Sequence, residues 1–94
     1  LGANQVFFCN DDLAQGALMA ALRLGVTVPG QVAIAGFNDL EGSDQMLPTL
    51  TSVRTPRVTI GIRGAALLLA LMKGETPTEK CIDVGYDLVA RNST

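Results

Sequence analysis

The chain predicts an α/β fold of parallel-sheet βαβ layers, and three observations carry that prediction. Short apolar runs alternate with segments of helical period, in the order strand, helix, strand, short helix, strand, helix, strand. The runs Val6–Cys9 and Val32–Phe37 are apolar at nearly every position, the habit of strands that helices cover on both faces. Glycine and proline punctuate the boundaries, at Gly25, Pro29-Gly30, Pro48, Pro56, Gly74 and Pro77.

Each element has a local reason. Val6-Phe7-Phe8-Cys9 is too short and too aromatic for a helix and reads as a buried strand. Asp11 to Leu24 then reads as a helix whose apolar face is Leu13, Ala17, Ala20, Ala21 and Leu24. Asn10 or Asp11 caps its start, acids suit its positive end, and Gly25 stops it. Val28-Pro29-Gly30 is a turn, and Val32 to Phe37 a second buried strand ended by Asn38-Asp39. Leu40 to Leu47 reads as a short helix or turn closed by Pro48, and Leu50 to Val53 as a third strand. Thr55 as N-cap and Pro56 at the first helical position start a second helix with the stripe Ile60, Gly64, Leu67, Leu68 and Leu71. Gly61 and Gly64 suggest a close approach to a neighbouring element, and the loose alternation from Cys81 to Ala90 reads as a final strand.

Composition narrows the class. The chain is 48% hydrophobic and so too apolar for disorder, yet no apolar stretch reaches the span of a bilayer, and no signal peptide is visible. Seven basic residues against nine acidic ones, with no basic run, argue against a nucleic-acid surface on these residues. Cys9 and Cys81 make neither a disulfide framework nor a zinc signature, and are expected to be buried free thiols in a cytoplasmic protein. Leu1-Gly2-Ala3 reads as the frayed end of something upstream, so the chain is expected to be a piece of a longer one.

Ligands of open parallel sheets bind beyond the carboxyl ends of the strands, so those ends are the candidate site. Asn10, Asp11 and Asp12 follow the first strand, Asn38 and Asp39 the second, and Arg54, Thr55 and Arg57 the third. Amides and carboxylates can pair with vicinal hydroxyls, and the planar fork of an arginine matches a carboxylate. The same Asn and Asp residues also serve as helix caps and turn formers, and residue type alone does not choose between those roles. Enzyme chemistry finds little support. Histidine is absent, which removes Ser-His and Cys-His pairs, and neither a dinucleotide fingerprint nor a phosphate-cradling loop occurs. No cofactor and no metal site is expected. Asp11-Asp12 could belong to a phospho-accepting receiver, but the only lysines, Lys73 and Lys80, sit near a helix end and its following loop.

Five segments in register resemble the LacI/GalR family of transcriptional regulators. Phe8 to Leu18 is similar to the family's N-D-x-x-A-x-G-A segment, and Leu24 to Pro29 to its L-G-x-x-V-P turn. Val32 to Asp39 is similar to its V-x-V-x-G-F/Y-D strand, Pro48 to Val53 to its P-P-L-T-T-V, and Ile60 to Glu75 to the helix that follows. The resemblance covers nearly the whole chain. It implies that residues 1–94 are the C-terminal part of a two-lobed, periplasmic-binding-protein-like effector-binding and dimerisation domain. A helix-turn-helix that contacts operator DNA would lie outside this segment, and the protein would be a sugar sensor rather than an enzyme.

The resemblance also implies site residues. Asn10 falls on an effector-contacting Asn, and Asn38 stands where most members carry an effector-binding Asp. Leu50 to Arg57 resembles the gluconate-repressor branch, with Thr55 and Arg57 at effector-facing positions. A sugar acid such as gluconate, its carboxylate on Arg57, is the expected effector. Gln15, Leu18, Met46 and Leu47 fall where relatives make subunit contacts, which implies a homodimer; ordinary packing under the short helix is the competing reading. Two alternatives remain from other classes: a transport-associated sugar-binding protein of the same fold, and a small α/β enzyme.

Overall fold

Helix α1, Asp11–Leu24, has the bounds its end signals predict, because both ends are coded locally. Asn10 is extended, and its Oδ1 accepts from the Leu13 N–H at 2.9 Å. Gly25 closes the other end at φ 71°, a left-handed conformation that costs glycine little. The computed structural model describes residues 4–94, so the expectation for Leu1-Gly2-Ala3 lies outside the described residues. The chain forms two units: residues up to Thr55 together with Asp87–Thr94, and Pro56–Tyr86.

The first unit holds a four-stranded sheet in the order β1-β2-β3-β4, with β1 Gln5–Phe7, β2 Ala33–Asn38, β3 Thr51–Arg54 and β4 Asp87–Val89. β1 pairs parallel to β2 with Val6 opposite Ile34, and β2 parallel to β3 with Phe37 opposite Val53. β4 runs antiparallel to β3, with Leu88 opposite Val53. The predicted α/β architecture of parallel βαβ layers is therefore present, with an antiparallel edge added. The final strand is far shorter than the alternation from Cys81 suggests: only Asp87–Val89 pairs. Between the second and third strands, the predicted short helix or turn is a single 3₁₀ turn, Ser43–Gln45.

The core lies between α1 and the sheet, where Ala14, Leu18, Ile34 and Leu50 are buried and Phe8, Ala17, Val28, Val32 and Met46 pack around them. This corrects the predicted helix face. The buried residues of α1 are Asp11, Ala14, Leu18 and Ala21, while Leu13 and Leu24 are exposed. The inward face is set by the buried Asp11, and residues three, seven and ten positions on follow it at helical spacing. The strands are also less enclosed than two covered faces would make them: Phe7 is 62% exposed, on the edge strand β1. Cys9 and Cys81 are free but exposed, which corrects their expected burial; Cys9 follows the edge strand and Cys81 sits in irregular chain.

In the second unit, α2 spans Arg57–Met72 and buries none of its residues. The N-cap position is Pro56, with no side-chain cap bond, so Thr55 does not cap this helix. A shallow groove of about 230 Å³ runs along Ile60, Gly64 and Leu67 against Ile82 and Val84. The close approach expected at Gly61 and Gly64 is not found among the described residues, since a methyl at either would meet open space.

Candidate functional site

Because β1, β2 and β3 are mutually parallel, their carboxyl ends share one edge of the sheet. That edge gathers Asn10 beyond β1, Asn38 at the end of β2 and Thr55 just past β3. Asn38 and Thr55 touch: the Thr55 hydroxyl donates to Asn38 Oδ1 at 3.2 Å. Asn10 uses its own Oδ1 for the cap, the role its residue type allows. Arg57 is the first residue of α2 in the other unit and is exposed.

The backbone at the end of β2 is unusual. Asn38 and Asp39 both have positive φ, 97° and 53°. Asn and Asp tolerate this region better than other non-glycine residues, but it still needs support. Support comes from three sides. The Asp39 N–H donates to Ser52 Oγ at 3.0 Å, and the Leu40 N–H donates to Asp11 Oδ2 at 2.6 Å. The Asp39 carboxylate accepts from Arg91 Nη1 at 2.7 Å and from Arg54 Nε at 2.8 Å. Arg91 also donates to the Leu50 carbonyl at 2.7 Å, tying the C-terminal segment to this turn.

The Arg91 hydrogen bond, opposed in part by burial and aided by Arg54, holds the Asp39 carboxyl below the ordinary carboxylate range. A depressed folded-state value means that the ion pair stabilises the fold above the unfolded-state value and is lost as pH falls through the folded one. Stability is therefore expected to drop below about pH 4, where unfolded aspartates protonate. Asp39→Asn should flatten that drop in urea melts taken across the acid range. Equal acid sensitivity in variant and parent would remove Asp39 from the account. At neutral pH the variant should cost about 1 kcal/mol, because the Arg54 side chain is 54% exposed and its bond is screened, leaving Arg91 as the stronger tie.

Behind this turn lies a carboxylate that its place after a strand marks as a ligand candidate. Asp11 is fully buried. Its Oδ1 accepts from Ser52 Oγ at 2.7 Å, and its Oδ2 from Ser43 Oγ and the Leu40 N–H, each at 2.6 Å. Ser43 Oγ in turn accepts from Gln15 Nε2 at 3.1 Å. With three donors on a buried side chain, Asp11 has no oxygen free for an acidic pocket of the receiver kind. A second tie sits at the opposite edge of the sheet. Ser93 Oγ accepts from the Thr51 N–H at 2.8 Å and donates to the Ile34 carbonyl, while the Ile34 N–H donates to Ser93 O at 2.9 Å. Among the described residues no buried side-chain polar atom lacks a partner.

Sequence reasoning misses the roles of Asp39, Arg91, Ser52 and Ser93. The Asn38-Asp39 pair is visible, but nothing local distinguishes the second residue as the anchor. Arg91 and Ser93 follow the last strand in a stretch without periodicity. Of the residues assigned to subunit contacts, Leu18 is in the core and has almost no surface to offer. Met46 packs partly against the same core. Gln15 is half-buried and bonds Ser43 and the Glu41 carbonyl, and Leu47 is 73% exposed. Among the described residues no cluster of metal-ligating side chains occurs and no helix is long and apolar enough to cross a membrane.

Comparison with known proteins agrees with this architecture. The family described as periplasmic binding protein-like domain matches residues 4–94. The HTH-type transcriptional regulator GntR of Pseudomonas aeruginosa is 60% identical over 89 residues, 95% of this chain and 26% of that protein. The crystal structure of the transcription regulator GntR from Chromobacterium violaceum superposes with a TM-score of 0.84 at 48% identity, over 96% of this chain and 33% of that one. The transcriptional regulator CelR, solved as a cellobiose complex, gives 0.89 at 29% identity, over 99% of this chain and 28% of its own. The chain thus spans about a quarter of the length of the curated relative it matches. These relatives are transcriptional regulators, not enzymes. Matched over nearly its whole length, the chain belongs to the periplasmic-binding-protein-like domain family.

Proposed function

We propose that this chain is part of the effector-binding and dimerisation domain of a cytoplasmic LacI-type repressor, and that its effector is a sugar acid of the gluconate kind. The observation that carries the reading is the shared strand-end edge, where Asn10, Asn38 and Thr55 stand at the ends of three parallel strands. Ligands of such sheets bind on that side. The solved CelR complex holds cellobiose, which supports a carbohydrate ligand for the fold. A neutral amide at position 38, where an acid would repel a carboxylate, favours an acidic sugar over a neutral one. Arg57 supplies the matching cation, a role that rests on sequence resemblance and on the chemistry of its fork. Operator DNA would be contacted by a helix-turn-helix elsewhere in the protein, as the name of the Pseudomonas relative has it for that regulator.

Calorimetry on the whole protein tests the ligand. Gluconate should bind, and Arg57→Ala should weaken it by about 10- to 100-fold, the usual worth of a charge-assisted pair. Equal affinity in the variant would take Arg57 out of the site, and no binding of any sugar acid by the parent would end the reading.

The dimer face is proposed around Gln15, Met46 and Leu47, with Leu18 beneath it. Leu47 lines, with Leu18, Ala21, Leu22 and Val28, an apolar groove of about 260 Å³. Leu47→Asp should convert the dimer to monomer in sedimentation while leaving the melting temperature of the fold nearly unchanged, because that side chain is already open to water. A dimer that survives the change would move the interface elsewhere.

A further inference from the structure

We propose that Ser52 is a positioning residue of the sugar-acid site: buried where no ligand can touch it, its hydroxyl holds the peptide that joins Asn38 to Asp39 and so sets where the Asn38 side chain is presented. The inference rests on the sugar-acid reading above and adds what keeps that edge ready for its ligand. The joining peptide is the vulnerable point of the edge. The residues on either side of it, Asn38 and Asp39, have φ of 97° and 53°, and a non-glycine residue holds such a conformation only where its surroundings fix it. The N–H of that peptide, which belongs to Asp39, donates to Ser52 Oγ at 3.0 Å. Ser52 Oγ donates in turn to Asp11 Oδ1 at 2.7 Å. Chemistry settles the direction of both bonds: a backbone N–H only donates, which leaves the hydroxyl proton for the carboxylate.

The neighbouring elements set this hydroxyl in place. Ser52 stands opposite Gly36 in the parallel register of β2 and β3, and the missing side chain at Gly36 is what lets the Asp11 carboxylate in. Asp11, the first residue of α1, thereby orients the hydroxyl that holds the turn. Without that hydroxyl the Asp39 N–H loses its partner, and the Asn38-Asp39 pair relaxes toward commoner backbone regions. Only the fraction of molecules that keeps the turn then binds, and apparent affinity falls by that fraction. The fold carries its own control. Ser93 is equally buried and makes the same two kinds of bond, accepting from the Thr51 N–H at 2.8 Å and donating to the Ile34 carbonyl, but at the opposite edge of the sheet.

Calorimetry with gluconate on the whole protein, run beside thermal melts and at a temperature where the variants remain folded, tests the role. Ser52→Ala and Ser93→Ala should both lower the melting temperature, since each deletes a buried hydroxyl with two partners. Ser52→Ala alone should weaken gluconate, by about tenfold, which corresponds to a binding-competent fraction of about one in ten. Ser52→Thr, which keeps the hydroxyl, should bind as the parent does, and Ser52→Cys, a weaker partner in both bonds, should fall between. Should Ser52→Ala fail to fold, Ser52→Cys and Ser52→Thr are compared with Ser93→Ala in its place. Unchanged gluconate affinity in Ser52→Ala, or in Ser52→Cys where it stands in, would overturn the positioning role while leaving the sugar-acid reading intact. So would a Ser93→Ala loss equal to that of Ser52→Ala, which would make the effect one of general stability, or a Ser52→Thr no better than the alanine variant. A parent protein that binds no sugar acid would overturn both, and that result is read before any variant is made.

Discussion

Asp11→Ala should destabilise the fold by about 3–5 kcal/mol in urea denaturation, the largest effect expected of any single change. The carboxylate is fully buried and accepts from Ser52, Ser43 and the Leu40 N–H. Truncation leaves those donors facing a small void without their acceptor, and each buried orphan costs about 1–3 kcal/mol. The loss is not local. Ser52 Oγ also accepts from the Asp39 N–H, and Ser43 Oγ from Gln15, so the change loosens the Asn38-Asp39 turn and the loop around the 3₁₀ turn together. Asp11→Asn should cost less, since its one oxygen keeps part of the set while its NH₂ opposes a donor. A destabilisation below about 1 kcal/mol for Asp11→Ala would mean that the three bonds are replaceable and that Asp11 is no keystone.

Gly36→Ala should cost about 2–4 kcal/mol by the converse route, overpacking. A Cβ at Gly36 would stand 2.2 Å from Asp11 Oδ1 and 3.2 Å from the Ala14 methyl. Elsewhere a side-chain tip could swing aside. Here the tip is a short buried carboxylate held by three donors, so moving it breaks the bonds just described. The two substitutions therefore share one mechanism and should be strongly non-additive. In the Asp11→Ala background the added methyl loses its main obstacle, and Gly36→Ala should cost less than about 1 kcal/mol. A double variant whose loss equals the sum of the singles would show that the glycine is needed for another reason.

This pair also explains a feature of the sequence that patterning cannot. A glycine at position 36, in an otherwise apolar strand, marks a place where backbone comes close to something. What comes close is the first residue of α1. By residue order Asp11 counts with the ligand candidates because it follows a strand, yet this buried neighbour of the exposed Asp12 is the anchor of the fold.

What the chain determines by itself is everything coded over a few residues. The bounds of α1 follow from a cap three residues from the N–H it satisfies and from a glycine free to turn left-handed. The three parallel strands follow from apolar runs, and their shared edge follows once they are parallel, so residue order alone makes Asn10, Asn38 and Thr55 legible as candidates. Tertiary structure alone decides which side of α1 faces inward, that Leu18 belongs to the core, that Thr55 serves Asn38 rather than α2, and that Cys9 is open to water. It alone joins Arg91 to Asp39 across 52 positions and Ser93 to Ile34 across 59. The physical reason is range. Caps and turns are satisfied by atoms the local backbone brings along, whereas a carboxylate or hydroxyl deep in a sheet finds its partner wherever the chain returns, and no periodicity of residue type records that meeting.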